Sequence, residues 1–132
     1  MLAHDETITI TTADLARLRP VLDMYDTVTA EQLDLELHRA RVVAPEDVPA
    51  DVVTMNSEVV YEDCATGVHR VVHLVYPGDA VAGTDRVSVL APIGSALLGL
   101  RVGQAITWKM PRGEKRIRVI EVRYQPEGAN DR

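Results

Sequence analysis

Two hydrophobic periodicities divide the chain. From Leu15 to Ala40 apolar residues recur at helical spacing, with Leu15, Leu18, Leu22 and Tyr25 in one stripe and Leu33, Leu37 and Ala40 in a second. Thr12 precedes the first stripe as a plausible N-cap. Pro20 falls inside that stripe, where loss of an N–H donor predicts a kinked or shortened helix. Thr29-Ala-Glu-Gln32 reads as a capping box opening the second helix. The loop between, from Asp23 to Val28, is short enough to force the helices antiparallel. The prediction is a helical hairpin with an acidic tip, its arm about 18 Å long for helices of about twelve residues. Residues 1–11 read as a short leader, with Thr7-Ile-Thr-Ile-Thr11 extended.

Beyond position 50 the period drops to two. Pro45 and Pro49 bias the residues before them away from helix, so 44–51 reads as a linker. Met55, Ser57, Val59 and Tyr61 then alternate with Asn56, Glu58, Val60 and Glu62. Thr66-Gly67 signals a turn, and Val68 to Val75 returns as the hairpin partner. Val87 to Leu90 forms a third strand. Ile106, Trp108 and Met110 alternate with Thr107 and Lys109, and Arg112-Gly113 turns the chain into Arg116 to Tyr124. Five strands and one short helix after a helical hairpin make an α+β protein with an antiparallel sheet.

The short helix falls in Ser88-Val-Leu-Ala-Pro-Ile-Gly-Ser-Ala-Leu-Leu-Gly-Leu-Arg-Val-Gly103, which precedes Pro111-Arg-Gly113. Gly94, Gly99 and Gly103 frame an apolar run of Ala96, Leu97, Leu98 and Leu100. The run is too short for a freestanding helix. It reads as one or two helical turns clamped between strands and packed on the sheet. Its glycines lack the lysine and Ser/Thr of a P-loop and have the wrong spacing for a dinucleotide turn, so backbone packing explains them better.

With 132 residues the chain has the size of one ordinary domain with or without a small appendage. Its single cysteine, Cys64, excludes an internal disulfide and any multi-cysteine zinc site. From the acidic start, Met-Leu-Ala-His-Asp-Glu, neither a signal peptide nor a membrane span is expected, and a reducing cytoplasm is the expected location. The net charge of −6 conceals an asymmetry, −10 over residues 1–66 and +4 over residues 67–132. The acidic half argues against sequence-independent nucleic-acid binding there. It reads either as a solvated surface or as steering toward a basic protein or a metal-containing channel.

Few side chains suggest chemistry. His69 and His73 have the spacing of helical metal ligands, but they sit in a strand, where four residues span about 13 Å. One ion cannot bridge that span, so they read as structural or surface histidines. Cys64 has no local base and reads as a plain residue. Arg112, Lys115, Arg116 and Arg118 cluster at the last hairpin, as a solvated strand edge or as a contact to RNA or an acidic partner.

The segments Asp51-Val-Val-Thr-Met-Asn-Ser57, Leu74-Val-Tyr-Pro77, Ala91 to Gly103 with Pro111-Arg-Gly113, and Tyr124-Gln-Pro-Glu127 carry a resemblance. Over about residues 45–127 the chain resembles the C-terminal domain of the bacterial Gre transcript-cleavage factors, and within that family the Rnk group, regulators of nucleoside diphosphate kinase. The resemblance implies an N-terminal hairpin over 1–44 and an FKBP-like domain over 45–132. It implies an RNA polymerase-binding regulator that docks near the secondary channel and competes with Gre factors. The docking residues would be Ala91, Pro92, Ile93 and Gly94, with Ser95 and Leu98 beside them; Ala91 stands where Gre factors commonly have Ser. Asp23 and Asp26 correspond in position to the acidic finger tip that helps Gre factors hold Mg²⁺. The arm here is several times shorter, so no transcript cleavage, no catalytic residue, no metal and no cofactor are expected.

Two further readings remain. Direct binding of nucleoside diphosphate kinase follows from the group's name, which also fits an indirect effect through gene expression. An FKBP-type prolyl isomerase follows from fold analogy alone. The chain has no Phe, one Trp and four Tyr, a poor stock for an aromatic pocket. Neither specific DNA binding nor membrane association is expected.

Overall fold

The first two helices form as the apolar stripes require, but their caps lie one and two residues earlier than Thr12 and Thr29. In the computed structural model, which describes residues 7–110 and 112–129, helix α1 spans Thr12–Asp23 and α2 spans Val28–Arg39. The Thr11 hydroxyl accepts from the Asp14 N–H at 3.0 Å, and the Thr27 hydroxyl accepts from the Ala30 N–H at 3.1 Å. The proposed capping box therefore lies inside α2. Pro20 neither shortens nor interrupts α1; it sits on the exposed face of a helix that continues to Asp23.

Strand β1, Thr9–Thr11, enters α1, and strand β2, Arg41–Val43, leaves α2; they pair in parallel, Ile10 opposite Val42. No alternation in three residues announced β2. Strands β3 (Glu58–Asp63), β4 (His69–Val75), β5 (Arg86–Ser88), β6 (Ala105–Met110) and β7 (Gly113–Tyr124) form one sheet in the order β5-β4-β3-β7-β6. The sheet is mixed, because β5 runs parallel to β4 while the other pairs are antiparallel. This corrects the expectation of an antiparallel sheet. The segment between β4 and β5 is long enough to cross back and re-enter in the same direction, by way of a 3₁₀ turn at Pro77–Asp79.

Helix α3, Pro92–Leu97, is the expected clamped segment. A four-residue helix α4, Pro126–Ala129, follows β7 and was not foreseen, so the second part has two short helices. Residues 1–6 of the leader and Pro111 of the Pro111-Arg-Gly113 motif lie outside the described residues.

One continuous hydrophobic cluster joins both parts. Leu18, Leu33 and Leu37 of the hairpin belong to the same cluster as Val59, Leu74, Leu97, Ile106, Trp108 and Ile117. Burying a side chain of this size stabilises by about 1.5–3 kcal/mol, so the hairpin's apolar faces account for much of its attachment. Among the described residues no helix is long and apolar enough to cross a membrane.

Candidate functional site

Helix α3 is built to be approached by backbone. Ala91 is its N-cap in extended conformation and Pro92 occupies the first turn, where its fixed φ fits and its missing N–H costs nothing. The Ser95 N–H donates to the Ala91 carbonyl at 2.9 Å, closing the first turn. A Cβ at Gly94 would overlap the Ser88 carbonyl oxygen at the end of β5. At Gly99, φ is +84° and a Cβ would lie 2.7 Å from the Ile8 side chain, because β1 docks here with the Thr9 N–H donating to the Gly99 carbonyl at 3.1 Å. Gly94 and Gly99 thus seat α3 between β5 on one side and the N-terminal strand on the other.

This packing sorts the six candidate docking residues. Ala91, Pro92 and Ile93 are half-buried and reach the surface, with Ile93 resting against the core. Gly94, Ser95 and Leu98 lie inside, and the Ser95 hydroxyl has no hydrogen-bond partner among the described residues. A contact surface at α3 is therefore narrow, three residues wide at its N-terminal turn.

At the hairpin tip, Asp23 closes α1 and Asp26 follows; both are exposed. Neither pairs with a cation among the described residues. The same tip carries Met24, 78% exposed, and Val28, 69% exposed. Among the described residues no three His, Cys, Asp or Glu side chains come together as a metal cluster. His69 and His73 stand on one strand, opposite Glu62 and Glu58, and the His69 Nε2 lies 3.7 Å from the Glu62 carboxylate. Lys115 of the basic cluster is drawn to Asp63 at 3.2 Å. The Ala65 N–H first, and then Lys115, hold the Asp63 carboxyl below its ordinary range. Arg118 is committed to the Gly103 carbonyl at 2.9 Å.

The feature that sequence reasoning missed is a polar clamp between the hairpin and the sheet. The Asp14 carboxylate, buried on α1, accepts from the Met55 N–H at 3.0 Å. Burial raises its pKa to about 6; the Glu127 charge adds to this, and the Met55 N–H and Arg17 oppose it. The Thr54 hydroxyl donates to the Glu127 carboxylate at 2.7 Å and contacts the Ser57 hydroxyl at 3.0 Å. The Gln125 amide donates to the carbonyls of Pro49 and Val52, each at 2.8 Å. Burial pushes the nearby Tyr76 phenol up to about 12, with the Asp14 charge acting the same way. Three of the segments that carried the resemblance, at 51–57, 74–77 and 124–127, thus converge on one place. Their recurrence as motifs was the available signal; nothing in their spacing told that they meet.

A hairpin of two short helices clamped to a five-stranded sheet, with a glycine-seated helix between its strands, matches known proteins along nearly the whole chain. Residues 48–124 match the family model "Transcription elongation factor, GreA/GreB, C-term", and residues 7–43 match "Rnk N-terminus". The chain belongs to the GreA/GreB family, in the Rnk branch. It is 48% identical over 103 residues to the regulator of nucleoside diphosphate kinase of Escherichia coli K12, covering 77% of this chain and 76% of that one. It is 35% identical over 85 residues to the transcription inhibitor protein Gfh1 of Thermus aquaticus, covering 63% of this chain and 54% of the relative. A solved GreA/GreB factor from Nitrosomonas europaea superposes with a TM-score of 0.76 at 40% identity, covering 91% of this chain and all of the other.

Proposed function

We propose that this protein is a non-enzymatic regulator that binds RNA polymerase near its secondary channel and keeps longer-armed Gre factors out. One observation carries the reading. A GreA/GreB C-terminal unit is joined here to an arm whose helices have only 12 residues each. In this reading Ala91, Pro92 and Ile93 touch the polymerase, while Gly94, Ser95 and Leu98 hold the turn that presents them. Asp23 and Asp26 are the solvated end of a plug, about 18 Å from its base and too short to deliver carboxylates to a distant catalytic Mg²⁺. A relative named as a transcription inhibitor supports obstruction as the mode of action. We place the boundary of the two units at residues 44 and 45, between the two matched family regions, and we read the second unit's sheet as FKBP-like and the protein as cytoplasmic.

A narrow face can serve because a transient interface rests on a few anchors. Pro92→Asp puts a charge on that face while leaving the core untouched. Binding of the folded variant to core polymerase is expected to fall at least about tenfold, a loss of about 1.4 kcal/mol. Displacement of a labelled Gre factor measures it. Unchanged affinity in a variant with native circular dichroism removes this assignment.

A relative's name favours a second reading, direct contact with nucleoside diphosphate kinase. Pull-down of purified kinase, with polymerase as competitor, separates the two. The isomerase reading loses support because the aromatic side chains are dispersed. Trp108 and Tyr61 are in the core and Tyr124 is exposed, so that only Tyr25 and Tyr76 share a groove.

A further inference from the structure

Between α1 and the turn after β4 runs an open groove of about 450 Å³. Val21, Met24 and Tyr25 line it from the hairpin, and Tyr76, Pro77 and Gly78 from the sheet side, with Arg17 the only cation among them. Its apolar wall continues onto the tip through Met24, 78% exposed, and Tyr25, 41% exposed. Large side chains left in water beside a groove mark a contact surface more often than scattered exposure does.

The charges around the groove decide what fits. Asp23 and Asp26 bracket Met24 and Tyr25 in the chain, and Asp79 follows Gly78; all three are exposed. None of the three carboxylates forms an ion pair among the described residues, but the Arg86 guanidinium sits at Asp79, donating to its carbonyl at 3.0 Å. Arg17 does not reverse this sign, because it lies in the field of Asp14, with Glu127 also acting on the same spot. The groove is apolar along its wall and anionic at the hairpin tip, where Asp23 and Asp26 stand, while Arg86 offsets Asp79 at the other end. We propose that it receives a short segment of a protein partner, one or two large apolar side chains flanked by lysine or arginine. The segment would lay its apolar residues against Val21, Met24 and Pro77 and its cations toward Asp23 and Asp26. This site shares no residue with the α3 face and does not depend on it.

Gly78 offers a clean test. A Cβ there meets nothing within 4 Å and its φ is not in the left-handed region, so Gly78→Trp fills the groove without straining the turn. The probe is a fluorescein-labelled peptide with a central Leu-Trp pair between lysines, titrated with the full chain and read by anisotropy. Two controls replace its lysines with glutamates, or its Leu-Trp pair with serines. The lysine peptide is expected to bind at least about tenfold tighter than either control. Binding should weaken by a similar factor in Gly78→Trp and in the Asp23→Lys/Asp26→Lys pair, while Pro92→Asp leaves it unchanged. Equal affinity for the three peptides, no binding, or binding indifferent to a folded Gly78→Trp overturns the proposal. So does self-association that Gly78→Trp abolishes, since a second copy would then be the occupant. If Gly78→Trp does not fold, Met24→Ser, on an already exposed side chain, is read by the same criterion.

Discussion

At Gly94 the backbone of α3 lies against the Ser88 carbonyl so closely that a single methyl group has nowhere to go. The neighbour is main chain in a paired strand, so it cannot rotate away. Gly94→Ala is expected to destabilise the fold by about 1–3 kcal/mol, as overpacking a tight contact does; urea denaturation checks it. Asp14 poses the opposite problem, a charge held indoors. Its folded pKa of about 6 stands above the ordinary 3.8. The folded state therefore binds a proton more readily than the unfolded state, and protonation favours folding. The contribution is present in full below about pH 3.8 and is lost as pH rises through about 6, amounting to about 3 kcal/mol at most. Thermal melts should accordingly rise as the buffer goes from about pH 7 to about pH 5, other carboxylates aside. Asp14→Asn keeps an acceptor for the Met55 N–H and should flatten the difference. A melting temperature of Asp14→Asn that still follows pH as the parent does would remove Asp14 from the account.

Between elements, the contacts that matter are those that join distant parts of the sequence. The Gln125 amide, just before α4, holds the carbonyls of Pro49 and Val52. Gln125→Ala leaves two acceptors without their donor and is expected to cost about 1–3 kcal/mol. The faster amide exchange should concentrate at residues 49–55. This stitch joins residues 76 and 73 positions apart and leaves no local pattern in the sequence. The helical stripes of α1 and α2 and the alternation of β3, β4, β6 and β7 are local patterns, and local patterns were legible. Strand β2 has three residues, and α4 has four, too few to show a period. The direction of β5 depends on where its pairing partner lies, which period-two alternation does not encode. At the candidate site the glycine spacing identified the α3 turn. It could not tell that Gly94, Ser95 and Leu98 face inward, because a six-residue helix wrapped by strands has little outer face.

For the whole molecule, charge is uneven along the chain, −10 over residues 1–66 and +4 over residues 67–132. Such a distribution orients a protein as it approaches a charged partner, and salt weakens it over a Debye length of about 10 Å at 0.1 M. If the arm obstructs a channel, the protein should cause no cleavage of a stalled transcript and should reduce Gre-stimulated cleavage in proportion to its concentration. The concentration needed should rise with salt. A stalled-complex cleavage assay run at two ionic strengths reads both outcomes, and stimulated cleavage by this protein alone would end the plug mechanism.

Strand β7 lies between β3 and β6, at the interior of the sheet, although it is the last strand in the sequence. During synthesis β3 leaves the ribosome long before its neighbour β7 exists. The nascent chain therefore exposes an unpaired strand edge until Tyr124 has cleared the exit tunnel, and only then can the sheet close and the hairpin lock against it. Closure of the sheet waits for β7, and chaperones that shield strand edges have their window before it.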